Sequence, residues 1–182
     1  NCSGFGRIHH FRYSQFSDWP EDPLPISPAS KYLGIKSHQN VRAQVFQLAS
    51  CNFRCWYCFV PYSLLTPRKN NSSWITCDDI VEMYASMGDK PQIIDCSGGH
   101  PELAPEWVPW MMQSLIDHNL ASSTFLWSDD NLSTYGIWEF LDDDQIELLS
   151  SYPGYARVGC FKGFDESSFS YNTHADPTLY KR

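Results

Sequence analysis

The sequence predicts an α/β fold, in which parallel strands alternate with helices as a partial TIM-like (β/α) barrel preceded by a Pro-rich N-terminal arm. Three observations predict it. From Val41 onward, short apolar runs with strand-like alternation are each followed by a stretch with helical spacing, and this pair recurs about four times. Each strand-like run ends on a cluster of unusual residues: Cys51–Cys58, Ser97–Pro101, Ser128–Asn131, and Lys162 with Gly163. Parallel sheets bind ligands outside the carboxyl ends of their strands, so the four clusters read as one site. Finally, 182 residues with 42% hydrophobic and 15% aromatic content suffice for one domain with a sizeable core.

Residues 1–40 differ from the rest and are expected to form an extended arm. The stretch Trp19–Pro28 holds four prolines, which argues against helix and against central strand. Ala43–Ser50 alternates as a strand and delivers the chain to the cysteines. Thr76 then caps a helix whose apolar face is Ile80, Val81, Met83, Tyr84 and Met87, ending at Gly88. Gln92–Cys96 reads as a short buried strand. A second helix spans Pro105 to Asn119, with Trp107, Val108, Met111, Leu115 and Ile116 on one face. Ser123–Trp127 is the next strand, Asp142–Ser151 a helix with an acidic first turn, and Tyr155–Lys162 the last strand. Four units fall short of a closed barrel, so the domain over 41–182 is expected to be incomplete at its C-terminal side. Its open edge would be covered by the segment after Phe164, by further chain or by a partner.

The formal net charge is −8 and no Lys/Arg-rich run exists, which argues against a broad nucleic-acid surface. No apolar run of about 18 residues is present, so a membrane span is not expected. Seven cysteines, three of them within eight residues, suit a reducing compartment better than a disulfide framework, and the cytoplasm is the expected location.

Cys51-Asn52-Phe53-Arg54-Cys55-Trp56-Tyr57-Cys58 has the form C-x3-C-x2-C, directly after a strand. Three thiolates so close can converge on one metal centre, and Phe53, Trp56, Tyr57 and Phe59 would limit water there. Structural zinc asks for four ligands, with Cys77 or a histidine as the fourth. An iron–sulfur cluster held by three cysteines leaves one iron open for chemistry. Both readings stand on the residues alone; the zinc reading makes the chain a non-enzymatic interaction module. Arg54 is expected to fix the loop. Cys77, Cys96 and Cys160 read as ordinary thiols, Trp107 and Trp110 as packing, and His9, His10, His38, His118 and His174 as structural or surface residues.

The motif CNFRCWYC resembles the signature of the radical S-adenosylmethionine superfamily, and the resemblance extends over about Val41–Phe164. It is loosely nearest the glycyl-radical activating-enzyme-like branch. It implies a [4Fe-4S] cluster on Cys51, Cys55 and Cys58, and S-adenosyl-L-methionine cleaved reductively to methionine and a 5′-deoxyadenosyl radical that abstracts hydrogen from a substrate. It also implies an electron donor such as flavodoxin or ferredoxin. Ser97, Gly98, Gly99 and His100 match the family's Gly-Gly-Glu-Pro turn for the methionine amino group, with His100 where Glu is usual. Ser128 and Asn131 stand where the family places ribose or carboxylate contacts. Lys162 stands where a Lys would neutralise the cofactor carboxylate, and Tyr57 where an aromatic residue lies near adenine. The substrate, whether small molecule, peptide or protein, and any catalytic acid or base are left open.

Overall fold

Strands β1 (Arg7–Arg12), β2 (Asn40–Phe46), β3 (Ile93–Cys96), β4 (Phe125–Asp130) and β5 (Tyr155–Gly159) form one open sheet in the order β1-β2-β3-β4-β5. The structure, a computed structural model, describes residues 6–12, 24–36 and 40–181. Strands β2 to β5 are parallel neighbours, and β1 pairs antiparallel with β2. The crossovers run through α2 (Cys77–Ala85) after β2, α3 (Trp107–Asp117) after β3, and α4 (Gly136–Phe140) and α5 (Asp143–Ser151) after β4. Helix α6 (Glu166–Thr173) follows β5, and α1 (Ile26–Leu33) lies between β1 and β2 in sequence.

Local chemistry sets these boundaries. Thr76, Asp142 and Asp165 each cap a helix through a reciprocal box, accepting from the backbone of Asp79, Gln145 and Ser168. In α3, Pro109 sits in the first turn, where its missing N–H leaves nothing unpaired. The two sheet faces then bury different partners. Phe46, Ile94, Cys96 and Leu126 pack with Ile80, Val81, Tyr84, Met111, Met112 and Leu115 of α2 and α3. On the opposite face Val41, Ala43, Ile93, Phe125 and Trp127 pack against Ile26 and Ala29 of α1. Each such apolar side chain contributes roughly 1.5–3 kcal/mol by leaving water.

Four expectations change. The first 40 residues are not solely an extended arm: β1 extends the sheet and α1 covers part of its inner face. Trp19–Pro28 is not free of helix either, since Ile26, Ser27 and Pro28 open α1; a proline in the first turn costs no hydrogen bond. Trp19 to Pro23, His38 and Cys2 lie outside the described residues. The third predicted strand runs on through Ser128, Asp129 and Asp130, so these residues alternate between faces instead of forming a loop. The strand expected over Ala43–Ser50 is β2, which begins earlier and ends at Phe46, leaving four residues before Cys51; the sheet is open, and the architecture is α/β with five strands, mostly parallel. No helix among the described residues is long and apolar enough to cross a membrane.

Gly98 and Gly99 carry φ of +74° and +88°, and a Cβ on Gly99 would strike the carbonyl oxygens of Leu48 and Ser50. Gly34, also left-handed at +66°, has nothing within 4 Å of such a Cβ. Gly99→Ala is therefore expected to cost several kcal/mol in urea unfolding, against roughly 1 kcal/mol for Gly34→Ala. Equal losses would show that the turn after β3 is not packed on the chain after β2.

Candidate functional site

The cysteine loop leaves the carboxyl end of β2 and is held by its backbone. Arg54 N–H and Trp56 N–H donate to the carbonyls of Thr173 (2.9 Å) and Asn172 (3.2 Å) at the end of α6. Trp56 Nε1 donates to Asn172 Oδ1 at 3.0 Å, and Asn172 Nδ2 donates to the Lys162 carbonyl at 2.8 Å. Arg54 fixes the loop as expected, giving Nη1 to the carbonyls of Cys51 and Phe53. The Tyr62 hydroxyl reaches the carbonyls of Arg54 and Cys55 at 3.0 and 2.9 Å. Phe53 is buried edge-on against Phe169 of α6, with ring centroids 5.4 Å apart.

Cys51, Cys55 and Cys58 are free and half-buried. Burial pushes the Cys55 thiol up, Lys162 and a hydrogen bond from Tyr57 pull it down, and the charges of Cys51 and Cys58 raise it again. The five groups thus share one electrostatic neighbourhood. Burial beside Cys55 raises the Tyr57 phenol to about 12, so it stays a neutral hydrogen-bond donor at neutral pH. Lys162 Nζ lies 5.9 Å from the centroid of the Tyr57 ring, within cation–π range.

The turn after β3 closes over the same place. His100 N–H donates to the Ser50 carbonyl at 2.8 Å, and Ser97 N–H to Phe46 at 3.1 Å, so the glycine turn lies flat on the chain entering the cysteine loop. Ser97 Oγ donates to Asp129 at the end of β4. Asn131 Nδ2 donates to Asn52 Oδ1 at 2.9 Å, and Asn52 Nδ2 to Ser133 Oγ at 2.7 Å, tying the end of β4 to the same loop. Cys160 N–H continues the ladder to the Asp130 carbonyl at 2.7 Å.

Three predicted residues take unexpected positions. Ser128 is buried on the helix-covered face and shares a hydrogen bond of 2.7 Å with the Tyr155 hydroxyl. His100 is 0% exposed; burial lowers its pKa to about 4, aided by Arg157 and Lys162, so it is neutral. Cys160 is half-buried beyond β5, and its thiol feels Lys162, Asp129, Asp130 and Cys55; the reading of it as an ordinary core thiol is corrected, because β5 ends one residue earlier. Cys96 is fully buried, as read from the sequence.

Beneath the turn, His100, Glu102 and Asp130 place ligand atoms within 4.8 Å of one another, all buried. Arg157 bridges Glu102 and Asp130. Its guanidinium supplies the positive charge those carboxylates need, so this cluster is a clamp joining the chain after β3 to β4 and β5.

Sequence reasoning passed over Asp95. It sits in the buried strand β3 with 5% exposure; Trp127 donates its ring N–H to the carboxyl, while Oδ1 has no partner. A carboxyl inside an otherwise apolar run, IIDC, was its signal. Burial, reinforced by Asp129 and moderated by Trp127 and Arg7, raises Asp95 from the usual 3.8 to about 8. No protein-family model and no curated protein sequence matches the chain.

The unfolded chain loses the Asp95 proton near pH 4, whereas the folded protein keeps it to about pH 8. The unfolded state therefore binds fewer protons across this window, and the group's contribution to stability falls as pH rises through it. Asp95→Asn keeps an acceptor for Trp127 and removes the penalty. Its melting temperature should exceed that of the unsubstituted protein at pH 8 by several degrees and match it near pH 4.5. A difference independent of pH would mean that Asp95 is charged when folded.

Proposed function

We propose that this chain is a radical S-adenosylmethionine enzyme whose open sheet is part of a (β/α) barrel of that type. The observation that carries the reading is the convergence of the C-x3-C-x2-C loop, the glycine turn after β3, Asp129 and Lys162 at one edge of the parallel sheet. The donor set suits a [4Fe-4S] cluster on Cys51, Cys55 and Cys58. Among the described residues, ligand atoms gathered within 4.8 Å are those of His100, Glu102 and Asp130, and not the three cysteine sulfurs. A tetrahedral zinc, about 2.3 Å from each thiolate, would hold the sulfurs roughly 3.8 Å apart. A four-iron cluster would give each cysteine its own iron and leave one iron open; what supports it over the zinc-binding module is the set of three cysteines, where structural zinc asks for a fourth ligand.

When bound, the cluster would supply an electron to S-adenosylmethionine, yielding methionine and a 5′-deoxyadenosyl radical able to take hydrogen from a substrate. The protein's own groups bind and orient. Lys162, in cation–π contact with Tyr57, would take the cofactor carboxylate. The carbonyls of Ser97, Gly98 and Gly99 would receive the ammonium group, because the buried, neutral His100 side chain cannot act as the acid usual at that position. Asn131, already tied to Asn52, would place its amide near the ribose, and Ser128 would support β4 from behind. The Tyr57 hydroxyl holds Cys55, and its ring would lie beside the adenine. An electron donor such as flavodoxin or ferredoxin, and a cytoplasmic setting, belong to the same proposal.

The test is anaerobic reconstitution with iron and sulfide, then dithionite and S-adenosylmethionine, with chromatography for 5′-deoxyadenosine. A brown protein that forms it, and a Cys55→Ala variant that loses both iron and product while keeping its helical signal, are the expected results. A colourless protein that retains zinc would overturn the reading. Lys162→Met is expected to weaken S-adenosylmethionine binding by about 10–100-fold, the loss of one charged hydrogen bond, as read by equilibrium dialysis. Unchanged binding would remove Lys162 from the site.

A further inference from the structure

The sheet face opposite the crossover helices changes character along its length. Cross-strand register aligns Arg7, Val45, Asp95, Trp127 and Ala156 in one row. Toward the amino ends of the parallel strands this face is apolar and covered by α1. Toward their carboxyl ends, Ser97 and Asp129 follow Asp95 and Trp127 on the same face, with Lys162 beyond them. The polar layer therefore begins at the row of Asp95 and ends beneath the cysteine loop.

Arg7 and the carboxyl of Asp95 share this layer without meeting. Asp95 feels both Asp129 and Arg7, yet no ion pair joins Arg7 to either carboxyl among the described residues. Arg7 instead gives Nη1 to Gln47 Oε1 at 3.3 Å and rests over the Phe59 ring at 5.5 Å from its centroid. Asp95 Oδ1 is buried without a hydrogen-bond partner. Trp127 answers only part of this carboxyl, and the buried oxygen left without a donor among the described residues costs free energy that an apolar residue would not. Proteins keep a cost of this kind at ligand sites.

We infer that Arg7, Asp95 and Asp129 bind an α-amino-acid-type zwitterion, its ammonium group between the two carboxyls and its carboxylate toward Arg7, as the substrate of the proposed enzyme. The inference rests on the radical reading for the word substrate, but not for the binding. Arg7 and Asp95 stand in one cross-strand row two strands apart, their backbones about 9.5 Å from each other at the usual strand spacing. The ammonium group supplies the donor that Asp95 Oδ1 lacks and separates the two carboxyls. The carboxylate uses guanidinium N–H groups that Gln47 leaves over. Lys162 remains for the cofactor.

The probe is glycine, titrated against the full chain with thermal unfolding as the readout; ethylammonium and acetate carry one charge each, and tetramethylammonium is the ionic-strength control. Glycine is expected to raise the melting temperature saturably and ethylammonium more weakly, with no effect from tetramethylammonium, which cannot donate a hydrogen bond. Asp95→Asn should weaken glycine binding at least tenfold, and Arg7→Gln should abolish the advantage of glycine over ethylammonium; Glu147→Gln, on the exposed side of α5, should change neither. No saturable response to glycine, or an equal response in Asp95→Asn, overturns the inference. The titration is repeated on the reconstituted protein with saturating S-adenosylmethionine. A persisting glycine response assigns the site to a second ligand. Its loss assigns these residues to the amino-acid end of the cofactor and overturns the substrate role. Failure of the radical reading is seen separately, as absence of 5′-deoxyadenosine from the same reconstituted protein.

Discussion

Everything at the functional edge depends on the parallel ladder of β2 to β5. Parallel strands finish side by side, so the chain leaves the sheet repeatedly along one edge, and each exit exposes backbone groups that need partners. Here the exits satisfy one another. Ser97 returns to Phe46, His100 to Ser50, and Cys160 to Asp130. The same bonds that complete the ladder bring the cysteines, the glycine turn, Asp129 and Lys162 together.

Two glycines make that closure possible. The backbone after β3 must approach the carbonyls of Leu48 and Ser50 closely with positive φ, which only a residue without Cβ tolerates. Below the turn, Arg157 draws Glu102 and Asp130 together, so the edge is braced from the helix side by charge and from the inner side by hydrogen bonds. The two sides differ in purpose. Arg157 answers its carboxylates within the fold, while Asp95 is left partly unanswered, and a group left so is the one available to a ligand.

Much of this was legible in the sequence, and the misses have physical causes. The strand-to-glycine junction and the helices capped at Thr76 and Asp142 follow from local signals that the structure repeats, whereas β2 ends at Phe46, short of the cysteines that its alternation led up to. Strand β1 was missed because RIHHFR is polar at most positions; its pairing with β2 comes from a free sheet edge and not from an apolar pattern. Helix α1 was missed because prolines were weighed without regard to the first turn, where Pro28 is harmless. The end of β4 was placed too early because aspartates usually end strands, whereas Asp129 and Asp130 are held by Ser97 and Arg157, partners distant in sequence. Cys160 could not be assigned from spacing, since its neighbours in space are Cys55 and Lys162.

The anchoring of the cysteine loop on α6 has a consequence for the order of events in the life of the chain. Trp56 and its partner Asn172 are separated by 116 positions. During synthesis the three thiols emerge long before the helix that orients them. Until Thr173 has left the ribosome, the loop is a tethered segment with reactive sulfur and no fixed shape, open to oxidation or to whichever soft metal arrives first. The three thiols therefore take their fixed arrangement only once α6 has emerged and docked, and that helix sets the time at which the loop gains its shape.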